Sequence, residues 1–282
     1  DGDGLDDGAE GGSAGPDTDA DGTIDALDPD QPVGDTDGDG IPDDDENNTT
    51  GTDPDDPDSD DDGLTDGEEI DGPDGIPGTG DETDPLDADT DDDGLSDGEE
   101  IDGPDGTAGT GDETDPLDPD TDADFLPDGL ELGDTDLVAP GVSDGSGIPY
   151  VGTDPAAYTP DLDPTTTTDP NDPDTDGDTL IDGDEDLNRD GVYDFDVQPG
   201  AAQDETDPND TDSDDDTMDD LFEGGAGGPD TDNDTLIDAL DPDSDNDGLR
   251  DIDEVLGGSD PYDPDSDDDG LLDGREALGA DG

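Results

Sequence analysis

Two stretches carry the reading: residues 58–69, DSDDDGLTDGEE, and residues 89–100, DTDDDGLSDGEE. They differ only by Ser/Thr exchanges, and the linkers behind them match too, IDGPDGIPGTGDETDPLDA (70–88) against IDGPDGTAGTGDETDPLDP (101–119). Working outward, the same core begins at Asp17, Asp35, Asp120, Asp174, Asp186, Asp212, Asp230, Asp243 and Asp265, and a shortened form opens the chain. The shared pattern is D-x-D-x-D-G-[LI]-x-D-x-x-E, with linkers that vary in length while the loop does not. Self-similarity of this kind marks a repeat protein.

Carboxylates at positions 1, 3, 5, 9 and 12, with the position 7 carbonyl, match the ligand set of an EF-hand-type calcium loop. Ca²⁺ takes six to eight hard oxygens at about 2.3–2.6 Å without strict angles, whereas Mg²⁺ demands a rigid octahedron and keeps its waters. Alternating Asp places successive oxygens on the concave side of a tight turn, Gly at position 6 permits the reversal, and Glu at position 12 reaches back to close the sphere. The candidate ligands are Asp17, Asp19, Asp21, Asp25 and Asp28; Asp35, Asp37, Asp39, Asp43 and Glu46; Asp58, Asp60, Asp62, Asp66 and Glu69; and Asp89, Asp91, Asp93, Asp97 and Glu100. They continue with Asp120, Asp122, Asp124, Asp128 and Glu131; Asp174, Asp176, Asp178, Asp182 and Glu185; Asp186, Asn188, Asp190 and Asp194; and Asp212, Asp214, Asp216, Asp220 and Glu223. The last three loops supply Asp230, Asp232, Asp234, Asp238 and Asp241; Asp243, Asp245, Asp247, Asp251 and Glu254; and Asp265, Asp267, Asp269, Asp273 and Glu276.

Composition agrees. Against 3 Lys+Arg stand 101 Asp+Glu in 282 residues, a net charge of −98, with no His, Cys or Trp. Asp outnumbers Glu 87 to 14, and the short acid is what tight metal loops need. Leu, Ile, Val and Phe together number 40, well below the share at which a highly charged chain builds an apolar core. Without Lys, His or Cys most nucleophiles and general bases are missing, so an enzyme is not expected. Nucleic acid and anionic membrane surfaces would repel the chain, and no apolar run approaches a membrane span. One Ca²⁺ per loop leaves most of the charge in place; about one to two per repeat relieves more of it.

Several loops depart from the pattern. Position 6 is Thr179, Thr217, Thr235 or Phe125 in four of them, so these should bend differently or bind more weakly. Position 12 is Asp28 or Asp241 in two, and Val197 in the loop at Asp186. Thr-Asp-Pro recurs in the linkers, at Asp53, Asp84, Asp115, Asp154 and Asp207, with further members at Asp169 and Asp260, readable equally as a turn or as extra ligation. Position 7, usually Leu or Ile, is expected to face small cores between loops.

Loops such as DTDGDGIPDDDE (35–46) and DSDDDGLLDGRE (265–276), joined by linkers such as GTDPDDPD (51–58), resemble thrombospondin type 3 calcium-binding repeats, most closely the Cys-free bacterial and archaeal variety. The resemblance spans nearly the whole chain apart from about 132–173. It implies an extracellular, elongated chain wound around a row of Ca²⁺ ions.

The fold expected is irregular, with little regular secondary structure: a calcium-scaffolded tandem array of EF-hand-like loops without flanking helices, since Pro precedes and Gly and Pro follow each loop. One-turn helices after some loops are compatible with it. Residues 1–131 and 174–282 form the two arrays, and 132–173 an expanded linker or contact segment. The function expected is an extracellular or cell-surface structural protein, a calcium-stabilised stalk or fibre. A calcium reservoir or mineral-nucleating protein, or the stalk of a larger adhesin, are the alternatives. Partners expected are the chain itself and other surface or matrix proteins. At the two ends, Asp281-Gly282 followed by DGDGLDDGAE completes a loop in which Asp281 joins Asp1, Asp3, Asp7 and Glu10; this gives the expectation of a head-to-tail filament.

Overall fold

The computed structural model describes residues 34–193, 204–277 and 279. Regular structure is sparse, 20% helix and 3% strand, so neither a sheet nor a helical bundle organises the chain. What recurs is the loop. Its backbone turns left-handed twice, at positions 4 and 6: φ is 63° at Asp61 and 108° at Gly63, and 65° at Asp92 and 104° at Gly94. Asp, Asn and Gly at position 4 tolerate this conformation better than other residues.

A short helix starts at position 9 of most described loops: α1 Asp43–Asp45, α2 Asp66–Asp71, α3 Asp97–Asp102, α4 Asp128–Glu131, α5 Asp182–Glu185, α6 Asp220–Glu223, α7 Asp251–Gly257 and α8 Asp273–Ala277. A 3₁₀ turn, Asp238–Leu240, takes the same place in the loop at Asp230. Two of these carry full capping boxes, Thr65 with Glu68 and Ser96 with Glu99, each hydroxyl and carboxylate satisfying one orphan N–H. Left-handed Gly51, Gly224 and Gly258 stop three of the helical segments. The one-turn helices that the sequence allowed after some loops are thus present after most of the described ones, six or seven residues long at α2, α3 and α7, and each sets the residues of positions 9 and 12 three apart on one face.

The described chain forms two compact units. One takes the chain up to Asp87 together with Gly141–Val151; the other takes Ala88–Pro140 and the chain from Gly152 onward. Part of the 132–173 segment, Gly141–Val151, belongs to the first unit. There, β1 Gly141–Val142 pairs antiparallel with β2 Pro149–Tyr150. The hairpin is held in the first unit by Ser143 Oγ on Asp53 Oδ2 (2.5 Å), Asp144 N–H on Asp56 (2.6 Å), Tyr150 Oη on Asp61 (3.2 Å) and Val151 N–H on the Leu86 carbonyl (2.9 Å).

Two small apolar clusters lie in the second unit, Leu126, Leu130 and Tyr158 with Leu137, and Ile237, Ala239 and Leu240 with Leu236. Position 7 is buried at Ile41, Leu95, Leu126 and Met218 but half exposed at Leu271. The largest fully buried side chains are instead acids, among them Glu46, Glu100, Glu131, Glu185 and Glu254. The interior of these loops is made of carboxylates.

Candidate metal centres

The loop at Asp89 shows the construction. Asp89 Oδ1 accepts the N–H of Asp93 (3.1 Å) and Oδ2 that of Gly94 (3.2 Å). Asp91 Oδ1 accepts the same Asp93 N–H (3.2 Å), and Asp93 Oδ1 that of Leu95 (2.8 Å). Backbone donors thus orient the three carboxylates, and their oxygens converge. Oxygens of Asp89, Asp91 and Asp93 lie within 4.8 Å of one another, as do those of Asp35, Asp37 and Asp39 and those of Asp58, Asp60 and Asp62. At position 3, the outer oxygen Oδ2 of Asp37, Asp91, Asp122, Asp176, Asp214 and Asp245 is buried with no hydrogen-bond partner.

Position 12 completes the group. The Thr of a following Thr-Asp-Pro motif donates to one glutamate oxygen: Thr114 to Glu100 (3.1 Å), Thr168 to Glu131 (2.9 Å) and Thr206 to Glu185 (2.9 Å). The second oxygen of Glu46, Glu100, Glu131 and Glu185, and both oxygens of Glu223, are buried without a partner. Burial first, and then repulsion from Asp93 and Asp91, pushes Glu100 up to about 11. Burial and Asp124 push Glu131 up to about 10, and burial, with Asp176 and Asp178, raises Glu185 to about 9. Asp241, replacing Glu, is raised to about 6 by burial with Asp234 and Asp232 nearby, so the shorter acid still faces its own loop. Glu276 is exposed, and its carboxyl is raised with Asp269 and Asp267 contributing.

A second cluster joins consecutive loops. Oxygens of Asp39 and Glu46 (positions 5 and 12) and of Asp66 (position 9 of the next loop) lie within 4.8 Å of one another. In the second unit the same positions act on each other electrostatically: Asp128 repels Asp93, Asp124 repels Asp182, and, across the loop at Asp186, Asp178 repels Asp220. Backbone contacts fix the spacing: position 10 N–H groups donate to the preceding position 5 carboxylate, Gly129 to Asp93 (3.0 Å) and Gly183 to Asp124 (2.7 Å). A Cβ on Gly129 would stand 2.5 Å from the Asp93 carbonyl oxygen, which is why glycine follows position 9 there.

Position 9 also has a structural partner that the loop pattern did not disclose. In the loop at Asp120, Asp128 Oδ1 accepts the Thr121 N–H (2.9 Å) and Oδ2 the Thr121 hydroxyl (2.6 Å). Ser or Thr at position 2 makes the equivalent pair with Asp43, Asp66, Asp97, Asp182, Asp220, Asp238, Asp251 and Asp273. The hydroxyl in turn accepts the N–H of the preceding linker Asp in Asp53–Ser59 (2.9 Å), Asp115–Thr121 (2.9 Å) and Asp207–Ser213 (2.9 Å). The signal was present as Ser/Thr at position 2. Linker aspartates themselves form turns, with Asp84, Asp115, Asp169 and Asp207 each accepting the N–H two residues on. Asp53 accepts the Asp55 N–H in the same way (3.3 Å) and is, in addition, fully buried. Burial would raise it, but hydrogen bonds from Ser143 and Ser146 outweigh that and hold it at about 2.

The four loops without Gly at position 6 bend as the others do: φ is 89° at Phe125, 84° at Thr179, 83° at Thr217 and 94° at Thr235. In the loop at Asp186, Asp186 accepts the Arg189 N–H (2.7 Å) and the Gly191 N–H (2.9 Å), and the Asn188 N–H donates to Glu205 (3.1 Å). Asp1, Asp3, Asp7, Glu10, Asp17, Asp19, Asp21, Asp25, Asp28, Asp194 and Asp281 lie outside the described residues, and with them the site expected across the termini.

These clusters of buried carboxylates could hold metal ions. No protein-family model, curated protein or solved structure matches the chain, so the likeness to thrombospondin type 3 repeats rests on the loops and linkers alone.

Proposed function

We propose that the chain is a calcium-scaffolded structural protein of the extracellular space, a stalk or fibre element of the thrombospondin type 3 kind, with about one to two ions per repeat. The observation that carries this reading is the buried glutamate at position 12. Glu100 and Glu131 each keep one oxygen without a partner inside the protein, facing only other carboxylates. An isolated buried carboxylate is strongly unfavourable, and such groups are paired, metal-bound or protonated. The chain has 3 basic residues for 101 acids, so pairing within the chain is out of reach. Hard oxygens in irregular, flexible sets suit Ca²⁺ better than Mg²⁺.

In this reading the carboxylates at positions 1, 3, 5 and 12 hold one ion. Position 9 of the next loop, with positions 5 and 12, borders a second. Position 2 and the linker Thr orient them. Extracellular calcium is millimolar, which matches loops in the ~10⁻⁴–10⁻³ M class. Among the described residues no helix is long and apolar enough to cross a membrane.

The test is the bound-metal content of the full chain, dialysed against millimolar Ca²⁺ and Mg²⁺ together and measured by atomic emission. About one to two Ca²⁺ per loop, with little Mg²⁺, supports the proposal. Calcium near zero contradicts it. Fast, independent exchange of the bound ions would turn the reading from scaffold to reservoir.

A further inference from the structure

The loop at Asp186 departs from its neighbours in two respects. Its position 12 is Val197, and its position 6, Gly191, has a cover that most others lack. A Cβ on Gly40, Gly63, Gly248 or Gly270 would meet nothing within 4 Å, whereas one on Gly191 would collide with Oδ1 of Asp161. That carboxylate comes from the 132–173 segment, in which the repeat pattern is absent.

Asp161 is seated rather than adrift. The Leu162 N–H donates to the Asp190 carbonyl (3.2 Å), the Thr166 hydroxyl to the Gly191 carbonyl, and the Tyr193 hydroxyl to the Thr166 carbonyl (3.0 Å). Asp161 is 4% exposed. Its Oδ1 accepts the Asp163 N–H (2.7 Å), and its Oδ2 is buried with no hydrogen-bond partner. Leu130, a member of the apolar cluster, reaches the same point above Gly191. The charges of Asp163 and Asp190, of like sign, both act on Asp161. Arg189 stands in the loop, but its guanidinium lies over the Phe125 ring, 5.0 Å from the centroid.

We propose that Asp161, with Asp190 and Asp163, forms a divalent-cation site that fastens the 132–173 segment to the loop at Asp186. The inserted segment thereby contributes the acid that position 12 of this loop lacks. The site rests on reading the chain as a calcium protein, and the experiment separates the two claims. Asp161→Asn and Asp161→Ala are made in the full chain. Bound calcium per chain is measured after dialysis in millimolar Ca²⁺, and hydrogen exchange is followed over 158–166, 186–193 and, as a control, 89–100.

The expected result is a loss of about one Ca²⁺ per chain in both variants, with faster exchange in 158–166 and 186–193 and unchanged exchange in 89–100. The asparagine keeps the shape and so guards against simple misfolding of the alanine variant. Wild-type calcium content and wild-type protection in Asp161→Asn would overturn this site while leaving the calcium reading intact, and would assign Asp161 a neutral, hydrogen-bonding role. A wild-type chain that binds no calcium would overturn both.

Discussion

The Thr168 hydroxyl donates to Glu131 Oε1 at 2.9 Å, and Glu131 Oε2 is left buried without a partner. A linker residue far along the chain therefore aims the closing acid of a loop at Asp124 and Asp122, whose charges act on it. Glu131→Gln should act in opposite senses with and without metal. In calcium, the neutral amide weakens binding at that loop by at least ~10-fold, and Thr168→Val, which only misaims the glutamate, by about 10-fold or somewhat more. Without metal, the amide removes a repelling charge and should make the chain more compact. Calcium titration followed by circular dichroism reads both effects.

Position 2 holds position 9 at every complete loop described, so Thr121→Val should cost about 1–3 kcal/mol, the penalty for leaving a buried acceptor unsatisfied. The loss should appear as a lower melting temperature in saturating Ca²⁺, with the number of bound ions unchanged. A fall in ion number instead would make Thr121 part of the coordination.

Replacing Thr179, Thr217 or Thr235 by Gly should stabilise the calcium form by ~1 kcal/mol each, because these residues hold φ between 83° and 94° and a β-branched side chain is strained there. Phe125→Gly should gain less, since it also forfeits the stacking with Arg189 at 5.0 Å. Calcium-dependent thermal melts of the four variants check the ranking.

The clustering of acids at positions 1, 3 and 5 could be read from the sequence because their spacing is local, within one turn of chain. So could the scarcity of secondary structure, which follows from Gly, Pro and the want of apolar residues. The bonds between distant positions were less visible. Thr168 on Glu131 and Gly129 on Asp93 depend on how one loop packs against another, which no spacing rule states. The left-handed backbone at Thr179 is likewise imposed by the loop's hydrogen bonds against the residue's own preference. The fold-back of Gly141–Tyr150 onto Asp53 could not be read either, since its polar contacts involve Ser and Asp in no repeated pattern.

Acidity should act with opposite sign on the two forms. Burial raises Glu100, Glu131 and Glu185 to between about 9 and 11, from an ordinary value of 4.5. Without metal, the folded form therefore holds more protons than the unfolded chain, and its stability is present below about 4.5 and lost as pH rises toward those values. Calcium needs the ionised acids, so the loaded form should instead weaken as pH falls below neutrality. Melting temperatures in Ca²⁺ should rise from pH 4 to neutrality, whereas in chelator the residual structure seen by circular dichroism should be greatest near pH 4 and fall as pH rises; the same direction of change in both would contradict this.

The central claim is that metal supplies the order, and small-angle X-ray scattering of the full chain at neutral pH tests it most directly. With excess chelator, the profile should become that of an expanded coil, with a radius of gyration of about 60 Å or more for a chain of this length, and return on adding millimolar Ca²⁺. A scattering profile that is the same with chelator and with calcium would contradict the account.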